Sequence, residues 1–484
     1  MSGSIQSRDF EIAHEGEMTA LGADIAAVLS LGDQIGLVGE LGAGKTTLAR
    51  AILRRLAEDP TLEVPSPTFT LVQRYDEGRL PVRHADLYRI SDPQEAEELG
   101  LGEPDAADLV EWPLTTLPIT LEITFGADGA QARRIKLSAP ESFALRLDRR
   151  RALARFVART AFSEATERHL SGDASTRAYL RFLRADGVGA VLMDAPSFAL
   201  PAGSYTHTAR LADGNNRAFL AVGAALAARG LSAPKVHAAD PDAGFLLLED
   251  LGDEKIAKDG APVAARYLRA AEALAAFHEA PLSLPLDDTV GGQFVPPTFD
   301  AALGAFEAGL YPQWLMQADP PADYTALWRA AIDALSRQDD RLALRDYHSP
   351  NCLWLEEREG VAQVGMIDYQ DAMIAPAAYD VVSLAQDARV PIPPALEDAI
   401  LARYTASRST LDMDAFREAY HVLGAQRAAR IAGVFRRLND RDGKGAYLAH
   451  IPRMLETLQR NLCATPTLAA LREWYAAHPP TVAP

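Results

Sequence analysis

The sequence predicts two domains of different classes: an α/β P-loop nucleotide-binding domain, followed by an α+β protein-kinase-like bilobal domain. Three observations predict this. Near the start, the short apolar run Gln34–Val38 leads directly into Gly39-Glu40-Leu41-Gly42-Ala43-Gly44-Lys45-Thr46-Thr47. Much later, Leu344-Arg345-Asp346-Tyr347-His348-Ser349-Pro350-Asn351 is followed, after a strand-like run, by Met366-Ile367-Asp368. These are unrelated designs for holding nucleotide phosphates, and 484 residues leave room for a separate core around each.

Composition bounds the partners. A formal net charge of −18 makes the generic electrostatic term repulsive towards nucleic acid and anionic membranes, so any RNA role needs a partner. The only cysteines, Cys352 and Cys463, form no disulfide framework and read as small buried hydrophobes in a reducing cytosol. Met1–Glu17 is polar and mixed in charge, unlike a secretory signal, and no apolar run approaches the roughly 18 residues that cross a bilayer. The expected location is the cytoplasm, with no membrane partner.

In chain order, Glu15–Leu31 repeats Met18, Leu21, Ile25, Val28 and Leu29 at helical spacing and stops at Gly32-Asp33. Gln34–Val38 is a buried strand, and Leu48–Leu56 continues as a helix. Between them, Gly-x-x-x-x-Gly-Lys-Thr stands in the strand-loop-helix setting that gives it meaning. Backbone N–H groups from Gly39, Gly42 and Gly44 through Thr47 would cradle phosphates at the helix start. Lys45 would reach the β and γ oxygens of ATP, and Thr46 would ligate Mg²⁺. Val64-Pro65-Ser66-Pro67-Thr68-Phe69-Thr70-Leu71-Val72 reads as a restrained loop feeding a strand. His84–Arg89 and Val110-Glu111-Trp112-Pro113 each put an acid near a strand end. The residues alone leave Asp86 and Glu111 open between site ligands and solvated turn carboxylates. Glu95, Glu97 and Glu98 read as a solvated helix face, and Leu117–Phe125 and Arg134–Leu137 as closing strands.

Gly39–Thr47, Ser66-Pro67-Thr68-Phe69-Thr70, His84–Arg89 and Glu111-Trp112-Pro113 together resemble the TsaE family over roughly residues 5 to 140. This is the small ATPase of the bacterial machinery that makes threonylcarbamoyladenosine on tRNA. The resemblance implies that Asp86 helps hold Mg²⁺, that Thr68 lies in a nucleotide-sensing loop, and that Glu111 orients or deprotonates the attacking water with Trp112 beside the nucleotide. It also implies that the ATPase works with the threonylcarbamoyl-transferase and its partner subunit, and meets tRNA only through them.

Ser138-Ala139-Pro140-Glu141 follows the last strand, and a basic helical pattern begins at Arg146, so the expected border lies near residue 145, giving domains 1–145 and 146–484. Asp148-Arg149-Arg150-Arg151 reads as a solvent-facing helix start rather than a nucleic-acid patch. Gly172–Ser175 looks like a tight turn entering the alternating strand around Tyr179–Phe182, with Ala190–Pro196 as its partner strand. In a kinase-like N-lobe such a turn, here with Gly172 and Ser175, covers the phosphates and a nearby Lys holds them. That Lys is missing, and Arg177 or Arg181 is the candidate replacement. Gly244–Gly252 has the form of the hinge, through Glu249, whose backbone pairs with adenine; a plain edge strand fits as well. Pro262–His278 is helical.

In the later motif Asp346 is the general base, and Asn351 and Asp368 are ligands of Mg²⁺. The alternative, a polar turn, loses weight because an Asp follows the apolar run Val364–Ile367. With Tyr369-Gln370-Asp371-Ala372 and Pro376–Leu384, the pattern resembles the aminoglycoside phosphotransferase and choline kinase superfamily, in which the residue before the catalytic acid is commonly Gly; here it is Arg345. Asp380 would by this resemblance brace the catalytic loop, or else cap the following helix. Leu192-Met193-Asp194-Ala195-Pro196, Leu246–Gly252, Arg345–Trp354, Ile367–Ala372 and Gln426–Lys444 further resemble the AmgK-type kinases, which phosphorylate the anomeric hydroxyl of N-acetylmuramate and N-acetylglucosamine in cell-wall recycling. That implies an amino-sugar substrate; Arg427, Arg430, Arg436, Arg437 and Lys444, on helical stretches after the kinase core, are the candidates to bind its lactyl carboxylate, the alternative for each being a solvated helix position. Two rivals stay open: an aminoglycoside, choline-like amine or other metabolite as acceptor, and a nucleotide-dependent scaffold without turnover.

Overall fold

Two compact units, residues 1–161 and 162–484, divide the chain. The structure, a computed structural model, describes residues 4–127, 131–170, 177–196, 201, 203–212 and 215–481. The turn with Gly172 and Ser175 lies outside them.

The first unit is a seven-stranded sheet of order β1-β7-β6-β2-β5-β4-β3. Its elements are β1 (Ile5–Ile12), α1 (Glu15–Val28), β2 (Gln34–Val38), α2 (Lys45–Leu56), β3 (Val72–Tyr75), β4 (Val82–Asp86), α3 (Pro93–Glu97), β5 (Ala107–Glu111), β6 (Ile119–Phe125), β7 (Arg133–Pro140) and α4 (Glu141–Val157). The central strands β6, β2, β5 and β4 run parallel, and buried Leu37, Leu109 and Leu121 face a core shared with Leu21 and Ile25 of α1 and Leu48 and Ile52 of α2. Strand β1 pairs antiparallel with β7 along its whole length. Its residues alternate between exposed and part-buried until Phe10 and Ile12, which is why Met1–Glu17 reads as merely polar.

The expected border at residue 145 falls inside α4. Phe143 and Leu147 are buried in the first core, Asp148 pairs with Arg8 at 2.8 Å, and Arg150 pairs with Asp24 at 3.2 Å. The charge run at 148–151 is thus knitted into the first unit rather than left to solvent, and the division falls after Ala161.

The second unit opens with an antiparallel sheet of order β11-β12-β10-β9-β8: β8 (Thr166–Leu170), β9 (Ala178–Leu183), β10 (Gly189–Asp194), β11 (Val236–Asp240) and β12 (Phe245–Glu249). Strand β12 lies between β11 and β10, so the hinge segment is an interior strand, not an edge. The helix-rich remainder includes α5 (Ala264–Phe277), α6 (Ala301–Ala308), β13 (Asp340–Ala343), β14 (Cys352–Trp354), β15 (Val364–Met366), β16 (Met373–Pro376), α7 (Ala378–Ala385) and the 30-residue α8 (Met413–Asp442). Hairpin β14–β15 presents Asn351 before its first strand and Asp368 after its second. Cys352 is buried as expected, but Cys463 is exposed at the end of a helix. Among the described residues no helix is long and apolar enough to cross a membrane.

Candidate active sites

The first site forms where three parallel strands end side by side. Register sets Leu37 of β2 opposite Glu111 of β5, and Glu111 opposite Asp86 of β4. Gly39 has a φ of 152°, and a Cβ there would stand 2.2 Å from the Ile123 carbonyl oxygen, so only glycine lets the chain leave β2 this way. Gly42 and Gly44 also have positive φ, and Gly44 caps α2, leaving the first N–H groups of that helix, including those of Thr46 and Thr47, as an anion seat.

Lys45 is buried, and its Nζ donates to the Gly39 and Glu40 carbonyls at 2.8 and 2.9 Å while lying 3.6 Å from the Trp112 ring centroid. Burial lowers its pKa from the usual lysine value, against the pull of Glu111 and Asp86. The ammonium is therefore a poorly solvated charge on neutral acceptors, which a phosphate would outcompete. Thr46 Oγ1 donates to Glu111 Oε2 at 2.9 Å, and the other Glu111 oxygen lies 3.0 Å from His84 Nε2. Asp86 accepts from the Ser66 hydroxyl and from the Tyr88 N–H, and Thr68 Oγ1 donates to the Ser66 carbonyl at 3.3 Å. Thr46, Asp86 and Glu111 thus offer hydroxyl and carboxylate oxygens, a donor set that suits Mg²⁺. Trp112 has a φ of 57°, and its ring lies 5.0 Å from that of Tyr88.

The second site is a cleft of about 1060 Å³ whose walls include Arg177, Glu249, Asp346, Asn351, Asp368 and Arg430. Val191 and Leu248, paired across β10 and β12 beside Glu249, and Leu353 give its wall apolar surface that suits a flat base. Asn351 Nδ2 donates to the Asp346 carbonyl at 3.0 Å and stands 3.4 Å from Asp368 Oδ2, so the predicted base and both predicted ligands meet. The Asn351 amide oxygen and the Asp368 carboxylate are hard donors that fit Mg²⁺. Burial alone would raise the Asp346 carboxyl, and nearby Arg430, Arg427 and Arg345 reverse it, holding Asp346 below the usual carboxylate range.

What fixes the catalytic loop is buried behind it. Arg345 has a φ of 71°, which accounts for glycine as the common residue here, and strain on the order of 1–3 kcal/mol is the cost of any other. Its buried guanidinium pairs with buried Glu307 of α6 and donates to the Ala209 carbonyl at 3.0 Å. Arg430 Nε lies 3.6 Å from the same carboxylate. Burial works against charge on Glu307, and Arg430 and Arg345 outweigh it, keeping it ionised. Asp380 accepts from the Leu344 and Arg345 N–H groups at 2.6 and 2.9 Å, the bracing role; it lies within α7, whose cap position is Ala377. Burial pushes Asp380 up to about 7 against those two bonds. His278, fully buried 3.7 Å from Asp380, hydrogen-bonds Tyr404 and the Leu342 carbonyl, and burial lowers it to about 3.

Of the predicted acceptor residues, Arg427 lines the cleft but is buried, donating to the Arg345 carbonyl at 3.2 Å and to Ser383 Oγ at 2.7 Å. Arg436, Arg437 and Lys444 are not brought into the cleft wall. Arg436 pairs with Asp440 at 2.8 Å, Arg437 lies over Tyr205, and Lys444 follows the helix end at Gly443. Helical phase accounts for Arg436, nine residues past Arg427, about two and a half turns, and so on the opposite side; Arg437 is in phase with Arg430 but lies over the Tyr205 ring, and Lys444 is beyond the helix. Arg430, Val434 and Leu438, three or four residues apart, share the cleft face. Of the candidates for the missing Lys, Arg177 stands 3.5 Å from Asp368, whereas Arg181 is held by Asp250 and Asp253. Sequence reading missed Glu307, whose signal is a lone acid in an Ala-rich helix, and His84, whose signal is its place two residues before Asp86.

Residues 12–135 match the family model described as threonylcarbamoyl adenosine biosynthesis protein TsaE, and residues 166–419 match that of the phosphotransferase enzyme family. The chain is 39% identical over 357 residues to an N-acetylmuramate/N-acetylglucosamine kinase of Caulobacter vibrioides, covering 69% of this chain and 97% of that one. A protein of the same name from Pseudomonas putida is 31% identical over 324 residues, covering 63% of this chain and 86% of its own length. A tRNA threonylcarbamoyladenosine biosynthesis protein TsaE of Bacillus subtilis is 42% identical over 99 residues, 20% of this chain and 60% of that relative.

Proposed function

The chain belongs to the phosphotransferase enzyme family and carries a TsaE domain ahead of its kinase domain, and on that premise we propose that it is bifunctional. The carboxy-terminal unit transfers the γ-phosphate of ATP to the anomeric hydroxyl of N-acetylmuramate or N-acetylglucosamine. The amino-terminal unit hydrolyses ATP in support of threonylcarbamoyladenosine formation on tRNA, working with the transferase of that machinery.

The observation that carries the kinase reading is the convergence of Asp346, Asn351 and Asp368 in the wall of a cleft that Val191, Leu248 and Leu353 also line. Asp346 orients the acceptor hydroxyl and takes its proton as the sugar oxygen bonds to the γ-phosphorus and the bond to the ADP oxygen breaks. An anomeric hydroxyl is more acidic than an ordinary alcohol, so that transfer comes late. Asn351 and Asp368 would hold Mg²⁺, which neutralises phosphate charge when bound. Arg177 supplies the cation that the expected Lys would have given, and the backbone at Glu249 meets the adenine. In the first unit Lys45 and the loop N–H groups seat the phosphates, Thr46 and Asp86 would hold Mg²⁺, Glu111, fixed by His84, directs the water, and Thr68 and Trp112 flank the nucleotide.

The cleft is mixed in charge, with Arg389, Arg427 and Arg430 and also Asp346, Asp368 and Asp371 in its wall, so the acceptor class is decided by assay. The test is phosphate transfer from ATP by the purified chain to both sugars, an aminoglycoside and choline. Sugar 1-phosphate from the two amino sugars supports the reading, and turnover of only the cationic acceptors overturns it.

A further inference from the structure

Among the guanidinium groups lining the cleft, four are already engaged. Arg181 is held by Asp250 and Asp253, Arg177 by Asp368, Arg430 by Glu307, and Arg427 by a carbonyl and a hydroxyl. Arg389 differs. It is half-buried in the wall, and among the described residues no carboxylate oxygen lies within ion-pair distance of it. Its NH1 is 3.4 Å from His348 Nε2, and its guanidinium lies 5.8 Å from the Tyr447 ring centroid. Its guanidinium is thus a cleft-lining cation with no carboxylate partner among the described residues.

Its position is fixed relative to the chemistry. Asp387 accepts from the Arg389 N–H at 2.8 Å through one oxygen and from the Ser349 N–H at 2.9 Å through the other, tying the turn that carries Arg389 to the catalytic loop. The His348 N–H donates to the Asp346 carbonyl at 3.0 Å, so the ring touching Arg389 is two residues from the base. Beside it, Phe435 and Tyr447 stack with centroids 5.2 Å apart and 29° between planes, and both line the cleft. The electron-rich face of an aromatic ring suits the polarised C–H groups of a pyranose.

We propose that Arg389, flanked by the Phe435–Tyr447 wall, is the acceptor-specificity residue, its fork binding the carboxylate of an acidic side arm on the sugar. This rests on the amino-sugar kinase reading and deepens it: the site is built for the acid, and the neutral sugar is accepted without this contact. A planar guanidinium and a carboxylate match bidentately, and this arginine loses no ion pair when the ligand arrives.

The test compares kcat/KM for N-acetylmuramate, its lactyl methyl ester and N-acetylglucosamine in the wild type and in Arg389→Gln. Removing a charge-assisted pair costs about ten- to a hundredfold. The expected result is a loss of that size for N-acetylmuramate in the variant, carried mainly by KM, with the preference over N-acetylglucosamine collapsing. The ester should lose the same factor on the wild-type enzyme, so this arm does not depend on the variant folding. Substitution and esterification together should cost no more than either alone, because both remove the same contact. Equal losses for both sugars, a raised KM for ATP, an ester as good as the acid, or losses that multiply would each overturn the assignment. A wild type that phosphorylates neither sugar would instead bring down the kinase reading beneath it.

Discussion

The two candidate nucleotide sites would surround phosphate oxygens with positive charge by opposite means. In the first unit the candidate seat is one contiguous stretch, Gly39–Thr47, offering backbone N–H groups, and Asp86 and Glu111 come from strands directly alongside. In the second, the groups are side chains from distant segments; Arg177 and Asp368 are 191 positions apart in sequence. A backbone seat depends on local conformation, so its glycines are the fragile element. A side-chain seat depends on the packing behind it, so its fragile elements lie outside the cleft, in residues such as Glu307 and Asp380.

The strongest way to break that comparison is to disable one site and assay the other. Asp346→Asn should lower sugar phosphate formation by roughly 10²–10⁴-fold while ATP hydrolysis by the first unit persists. Lys45→Ala should lower that hydrolysis by roughly 10²–10³-fold while sugar phosphate still forms. Loss of both activities from either change would mean that the two sites do not work separately. Next in size is Glu307→Ala. It leaves the buried guanidinium of Arg345 unpaired and should cost the second unit about 3–5 kcal/mol in urea unfolding, with kinase activity lost and hydrolysis by the first unit retained. An unchanged midpoint would show that the framework behind the cleft matters less than the comparison claims.

The smallest effect is in pH. His278 is lowered to about 3 in the folded unit, where it meets Tyr404 and the Leu342 carbonyl and lies near Asp380, Arg341 and Arg408. Below the ordinary value of 6.5 the unfolded chain takes up a proton that the folded one refuses. Stability is therefore full above that pH and falls as the solution is acidified, by about 2 kcal/mol at pH 5 from this one group. Asp380, raised to about 7, takes up a proton in the folded unit over the same range and works in the opposite direction. The share of His278 is therefore read as the difference in unfolding free energy between the wild type and His278→Asn, which should change by about 2 kcal/mol from pH 7 to pH 5. A slope unaltered by the substitution would place the acid sensitivity elsewhere.

How much was legible in the sequence follows the same division. The P-loop could be read whole because everything it needs is adjacent, and Asp346, Asn351 and Asp368 could be read because a short hairpin separates them. Arg345 was visible as a departure from glycine, but its partner Glu307 was not, since nothing local links residue 307 to residue 345. Strand β1 was missed because an edge strand with one wet face carries little apolar signal, and α4 was divided from its own domain because paired charges look like solvated ones until Arg8 and Asp24 are seen beside them. The acceptor arginines were chosen by charge, when helical phase removes Arg436 from the cleft and the Tyr205 ring takes up Arg437.

That helix carries a consequence for how the enzyme can change over generations. Gln426, Arg427 and Arg430 in its middle touch Glu307, Arg345 and Tyr379, while Val434, Phe435 and Leu438 further along line the cleft. Eleven residues at about 1.5 Å each put some 16 Å between Arg427 and Leu438 on a single rod. Mutational drift in the distal turns can therefore explore new acceptors while the proximal turns keep the catalytic loop in place, so a lineage need not pass through an inactive ancestor to acquire a different sugar.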